Sequence, residues 1–291
     1  MRAWLLLGLV GCDTVYGLTE RPDPDASVDA DDPNDGGDLA DAGPGCPGTT
    51  PAFTPTAVFL FPACTDFTTS AATNRGLMTC GDMLSETSLT SGTMTAAVAN
   101  VQPGQTLLDP RLSSAGDEMF VTSKDSVDSS RSIRIYRRTG GQWHHDASPS
   151  SLPTESDGSN PLFTSPPTTM LPGGRRVIIH RTKVSVAYFS EYLESSGVWT
   201  GVHDYTAADL GVATFAFPSL SPDGLQLVFS ANPIGGGPVE VRYAKRVNVT
   251  TMFDSSVKID VGADNTLYPH LAPDCTRLYF TALSTVQYVQ P

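Results

Sequence analysis

The amino-acid sequence predicts an all-β protein, a β-propeller of about five blades, and three observations carry that prediction. The chain of 291 residues holds 23 prolines and 26 glycines, residues that interrupt helices and punctuate short strands. A turn followed by an apolar strand, Ser221-Pro222-Asp223-Gly224 and then Leu225 to Phe229, recurs along it. With Ser114, Pro172, Pro222 and Pro273 taken as equivalent, the copies stand 58, 50 and 51 residues apart. A steady period of that size with two or three strands in it suits a propeller blade. Dividing the domain length by the period gives about five blades, with four and six as the alternatives.

Met1 to Cys12, MRAWLLLGLVGC, has one basic residue, a short apolar run and small residues before a cysteine, too short to span a bilayer. It resembles a bacterial lipoprotein signal peptide, with Leu9-Val10-Gly11-Cys12 in the place of the lipobox. The resemblance implies removal of residues 1–11, lipid on the Cys12 thiol and residence on a membrane surface of the cell envelope, outside the cytoplasm. An ordinary secretory signal is the alternative.

Residues 12–45 read as an Asp-rich tether. Residues 13–45 carry ten acids and one arginine, while residues 46–291 carry twenty-one acids and sixteen bases. A segment of Asp, Pro, Gly and Ala has no large apolar side chains from which to build a core and is extended by self-repulsion. Asp29, Asp31, Asp32 and Asp35 crowd together, but Pro33 breaks the alternation and no glutamate stands at the twelfth position that a calcium loop of the EF type needs. The formal net charge of −13 argues against nucleic acid, which requires a basic face.

Residues 46–291 form the expected propeller domain. In its best-preserved unit, Phe217 to Arg246, the proline of the SPDG turn presets φ and the glycine tolerates the fourth position. Leu225, Leu227 and Phe229 follow as one strand, and Val239, Val241 and Tyr243 as a second after the glycine-rich link. Tyr268 to Thr281 matches Phe217 to Ser230 almost position for position, with Pro273 and Asp274 in the turn and Cys275 replacing glycine. Looser copies run from Asp109 to Thr122 and from Thr169 to His180. Second strands at Ile133 to Tyr136 and Val184 to Tyr188 precede lone aromatics, Trp143 and Trp199, with Phe253 in the same place later. Recurrence at one place in each unit points to plugs between blades.

SPDG before an apolar strand, with a proline four residues ahead of the turn's proline, resembles the WD40-like repeat of the TolB-type β-propellers over residues 94–291. That family is chiefly non-catalytic, so the resemblance implies a protein-binding scaffold of the cell envelope. Residues 53–93 contain no copy of the turn, and the final unit stops after two strands. A propeller must close its ring. The strand Val58 to Phe61, or another within residues 53–108, is therefore expected to pair near the C-terminal strands.

Setting Cys12 aside, Cys46, Cys64, Cys80 and Cys275 allow two disulfides and three connectivities. Cys64 with Cys80 closes a short loop, and Cys46 with Cys275 would staple the tether to the last blade. No C-x-x-C or H-E-x-x-H appears, so no metal or cofactor is expected. His144-His145-Asp146 reads as a polar loop, and His180 and His270 as structural. There is no G-x-S-x-G, and Asp223 and Asp274 sit in equivalent turns where they can bond local amides. In the sialidase Asp-box one residue separates aspartate from glycine, whereas Asp223 and Gly224 adjoin. No catalytic residue is assigned. The expected function is a non-catalytic lipoprotein binding another envelope protein or a glycan; the alternative is a secreted sialidase-like or other hydrolase using acids at the propeller mouth.

Overall fold

A computed structural model describes residues 58–70, 72–81, 83–89, 93–96, 105–146, 159–169 and 173–290, together with Phe53, Leu152 and Leu171. Twenty strands form five four-stranded antiparallel sheets. Blade 1 comprises β2 (Cys64–Ser70), β3 (Arg75–Cys80), β4 (Met83–Ser88) and β5 (Met94–Ala96); blade 2 comprises β6 (Gln105–Leu112), β7 (Glu118–Asp125), β8 (Arg131–Thr139) and β9 (Gln142–His145). Blade 3 follows with β10 (Ser159–Thr164), β11 (Arg175–Lys183), β12 (Val186–Ser195) and β13 (Val198–Tyr205), and blade 4 with β14 (Thr214–Leu220), β15 (Gln226–Asn232), β16 (Glu240–Lys245) and β17 (Val257–Lys258). Blade 5 consists of β18 (Leu267–Leu271), β19 (Leu278–Ala282) and β20 (Thr285–Val289), completed by β1 (Val58–Pro62).

The ring closes through β1, which pairs antiparallel with β20, Val58 opposite Tyr288 and Pro62 opposite Thr285. This is the N-terminal strand expected to finish the last blade. Blade 1 carries no SPDG. Its first turn instead places Asn74 at φ 50°, and asparagine is one of the few residues that takes the left-handed region without glycine's freedom. Val184 also falls outside the strand assigned to it, because Val184 and Ser185 form the β11–β12 turn with φ of 49° and 64°.

The apolar pattern of the second strands follows from burial on both faces. Leu227, Phe229 and Ala231 point into a core shared with blade 3, whereas Val228 points into one shared with blade 5. Period two here separates left neighbour from right neighbour rather than inside from outside. Five apolar clusters result, one for each seam of the ring.

The recurrent aromatics fill these seams. Trp143 packs on Leu77 and Leu84 of blade 1, Trp199 on Phe120 and Ile133 of blade 2, and Phe253 on Phe189 and Tyr205 of blade 3. Each lies beneath a guanidinium, Arg138 at 5.8 Å, Arg175 at 5.9 Å and Arg246 at 4.4 Å. The same arginines pair with an acid of the preceding blade, Glu86, Glu118 and Glu191. A cation over a ring and against a carboxylate uses the planar guanidinium on both its face and its edge.

Cys64 and Cys80 are directly opposed in the β2–β3 ladder and are bonded to each other. Cys275 is also disulfide-bonded; Cys46, its expected partner, lies outside the described residues. Cys12, the expected signal segment and the expected tether lie outside them too. No helix among the described residues is long and apolar enough to cross a membrane.

Candidate functional site

The SPDG turn is closed by its own side chains. Gly224, at φ 70°, donates its N–H to the Ser221 carbonyl at 2.9 Å, and Asp223 Oδ1 accepts from the Leu225 N–H at 3.0 Å and the Ser221 hydroxyl at 2.5 Å. Ser221 Oγ accepts in turn from the Gln226 N–H at 2.9 Å. Beyond Pro273, Asp274 repeats the arrangement, accepting from the N–H and hydroxyl of Thr276, with Cys275 at φ 59° in the glycine's place. These aspartates are spent on the local geometry of the turn that joins each inner strand to the next.

Chemistry converges on the inner strands instead. β2, β6, β10, β14 and β18 contact one another in sequence around the axis, and each is interrupted by a β-bulge. In four of them the bulge holds a non-glycine residue in the left-handed region: Asp66 at φ 57°, Asp109 at 52°, Phe217 at 56° and Tyr268 at 53°. Three of these precede a proline, Pro110, Pro218 and Pro269, which supplies no N–H at the point where the ladder breaks. A backbone in that region costs on the order of 1–3 kcal/mol per residue, and the bulges bring the four side chains together.

Asp66 and Asp109, both buried, face each other across the seam of blades 1 and 2 where β2 meets β6, and Asp66 Oδ1 has no hydrogen-bond partner. Burial holds both carboxyls above the usual carboxylate range, Asp109 most strongly, against the opposing pull of Arg111. Arg111 is fully buried; its Nε donates to the Thr164 carbonyl at 3.1 Å and its Nη1 to the Pro110 carbonyl at 2.9 Å. Across from them the rings of Phe163, Phe217 and Tyr268 pack at a tilt of 51° to one another, with centroids 4.1 Å and 3.9 Å apart in turn. Burial together with Asp66 and Asp109 pushes the Tyr268 hydroxyl above its ordinary range.

His270 lies beside them as a clasp among three blades. Its Nε2 accepts from the Thr69 N–H at 3.0 Å, so Nδ1 carries the proton and donates to Ser219 Oγ at 3.3 Å. With Nε2 occupied by a backbone donor and Nδ1 protonated, the imidazole cannot take a proton from Ser219. Burial and the Arg111 charge depress it to about 3, so it is neutral. His180 is likewise held neutral, at about 4, by burial among Phe163, Phe189 and Phe215.

Both glycosidase geometries separate their carboxyls by about 5 Å or more to admit a sugar carbon or a water. Two carboxyls in hydrogen-bonding contact, excluded from solvent, fit neither. His144 and His145 lie on β9 rather than in the expected loop. His144 is exposed, and His145 rests edge-on to Tyr136 with Arg134 Nη1 3.4 Å away. Of the axial residues, His270 alone carried an expected role, a structural one. A residue before proline in the lead-in to each turn, Asp109, Phe217 and Tyr268, was the signal available.

Two features face outward. A cleft of ≈ 690 Å³ between blades 2 and 3 is lined by Arg137, Arg175, Glu194 and the Gly173-Gly174 and Ser196-Gly197 backbone. Blade 3 also projects the apolar side chains of Val184, Val186, Val198 and Val202, with Val184 87% and Val198 55% exposed.

No family model matches this chain, and no curated protein matches it. Among solved structures, a protein described as TolB from Agrobacterium tumefaciens is similar at 16% identity and a TM-score of 0.46, covering 75% of this chain and 69% of its own. TolB from Acinetobacter baumannii is similar at 12% identity and a TM-score of 0.46, over 79% of this chain and 55% of its own length. A glycosyl hydrolase from Bacteroides ovatus is similar at 8% identity and a TM-score of 0.52, over 79% of this chain and 84% of its own. At these identities the likeness is one of fold.

Proposed function

We propose that this chain is a non-catalytic lipoprotein of the cell envelope, anchored through lipid on Cys12 and carrying its propeller on an acidic tether as a scaffold that binds another protein. The observation that carries the reading is the state of the axis. The acids, arginine and histidine that converge there are buried and turned toward one another, and three closely packed aromatic rings stand against them. A catalytic site of this kind would need at least one of those groups to face a substrate. Recognition is then left to surface that differs between blades, and blade 3, with its long hairpins, exposed valines and adjoining cleft, differs most. Large exposed apolar side chains, on blade 3 and again on blade 4 at Ile234, Val247, Met252 and Val257, fit a protein partner better than a solvated surface.

The test has three arms on the full chain. Mass analysis of the mature N-terminus is expected to find lipid on Cys12; an unmodified thiol overturns the anchor. Saturable capture of one envelope protein is expected, weakened at least tenfold by Val184→Asp with Val198→Asp. Turnover of a fluorogenic glycoside and ester panel, abolished by Asp109→Asn, would overturn the binding reading in favour of a hydrolase.

A further inference from the structure

The closeness of Asp66 and Asp109 raises a question of satisfaction. Asp66 is 4% exposed and Asp109 3%. Asp66 Oδ2 accepts from the Thr65 hydroxyl at 2.9 Å, but Oδ1 has no partner if both side chains are carboxylates. Two buried carboxylates in contact would each desolvate and repel the other, an arrangement that proteins resolve by leaving one proton in the pair. Placing that proton on Asp109 turns the contact into a donated bond to Asp66 and accounts for the orphaned oxygen.

Every charged or titratable group facing the pair agrees with one negative charge rather than two. Arg111, two residues along β6, is the nearest cation; its Nε and Nη1 donate to two carbonyls, and its Nη2 has no hydrogen-bond partner. Arg131 on β8 acts on Asp109 from farther away. From β18, Tyr268 stays a neutral phenol and His270 a neutral imidazole. From β3, Thr79 contributes a hydroxyl. One guanidinium against one carboxylate and one carboxylic acid leaves the axis balanced.

The pair spans a seam with few other polar ties on the inner strands: Asp66 belongs to blade 1 and Asp109 to blade 2, and the Leu112 N–H donates to Thr68 Oγ1 at 3.2 Å just beyond them. We propose that Asp66 and Asp109 hold a single proton between them and form a latch that keeps blades 1 and 2 together and loosens when the proton is lost. Loss sends the proton to solvent and leaves two buried carboxylates in contact, facing Arg111 and, farther away, Arg131. A group that binds its proton more tightly folded than unfolded stabilises the fold at low pH, and that contribution is lost as pH rises through the folded value. The latch therefore opens on the alkaline side, whereas the second inter-blade tie near the axis, the Thr69 N–H on His270, is insensitive there because the imidazole is already neutral.

Amide hydrogen exchange of the full chain across neutral and alkaline pH, corrected for intrinsic base catalysis, tests the proposal. The protection of Leu112 is expected to fall by about tenfold per pH unit once the proton leaves, while that of Thr69 holds. Asp109→Asn, which keeps a donor toward Asp66 and suits the left-handed backbone, is expected to abolish the pH dependence at Leu112. Infrared spectra of the unmodified protein at pH 7 are expected to show the carbonyl stretch of one protonated carboxylic acid, a readout that requires no variant to fold. Absence of that band, equal loss of protection at Leu112 and Thr69, or a slope that survives in Asp109→Asn each overturns the latch.

Discussion

Removal of the Glu191 carboxylate is the most severe single test of how the blades are joined. Glu191, on β12, is wholly buried and accepts from Arg176 Nη1 at 2.9 Å, from Arg246 Nη1 and Nη2 at 2.9 Å each, and from the Tyr205 hydroxyl at 3.2 Å. One carboxylate thus holds two guanidiniums, one of which, Arg246, comes from the next blade and also covers the Phe253 ring. Glu191→Ala leaves both cations buried, Arg246 at 0% and Arg176 at 6% side-chain exposure. Stranding one member of a buried pair costs about 3–5 kcal/mol. At about 2–4 °C per kcal/mol for a domain of this size, the melting temperature is expected to fall by about 6–20 °C. Calorimetry of the full chain at pH 7 measures it, with Lys258→Ala as the comparison. Lys258 pairs with Glu240 at 3.4 Å while 52% exposed, and such surface pairs contribute about 1 kcal/mol or less. Glu191→Gln, which keeps the shape and removes the charge, is expected to come close to the alanine variant. A loss for Glu191→Ala no larger than that for Lys258→Ala would refute the view that the seam of blades 3 and 4 hangs on this carboxylate.

Two further outcomes follow from the same structure. The Cys64–Cys80 bond encloses a separation of 16 residues, which by loop-closure entropy contributes about 3 kcal/mol; replacing both cysteines with serine should lower the denaturation midpoint accordingly, and an unchanged midpoint would remove the disulfide from the account of stability. His270 and His180, depressed to about 3 and about 4, take up protons more readily unfolded than folded, so their contribution is present above the ordinary histidine value and lost as pH falls toward those figures. Each is expected to cost about 2 kcal/mol at pH 5 relative to pH 7, measured as a fall in unfolding free energy that is halved in His180→Phe; acid insensitivity over that window would contradict their burial as neutral rings.

The blade repeat was legible because it is written in short-range chemistry. A turn with an aspartate that bonds its own neighbours and a glycine at positive φ needs those residues wherever it occurs, so Ser221 to Gly224 and Pro273 to Asp274 announce themselves in one dimension. Blade 1 escaped notice because Asn74 serves the same φ without the same letters. The plugs Trp143, Trp199 and Phe253 were legible by recurrence, but their arginine and glutamate partners were not, since each arginine meets an acid from the preceding blade, 52 to 57 residues away for Arg138, Arg175 and Arg246.

By itself the sequence determined the fold class, the period, the closing strand and the short disulfide, all of which depend on local conformational preference or on alternation along one strand. The expectation of an export signal and an acidic tether rests on composition alone. The axis was decided only by tertiary structure. Asp66 and Asp109 are 43 residues apart, and Tyr268 comes from the far end of the chain; closing the ring through β1 and β20 makes them neighbours. Whether a carboxylate there is a catalyst, a turn residue or one half of a shared proton depends on what lies across the channel, and that is a property of the closed ring.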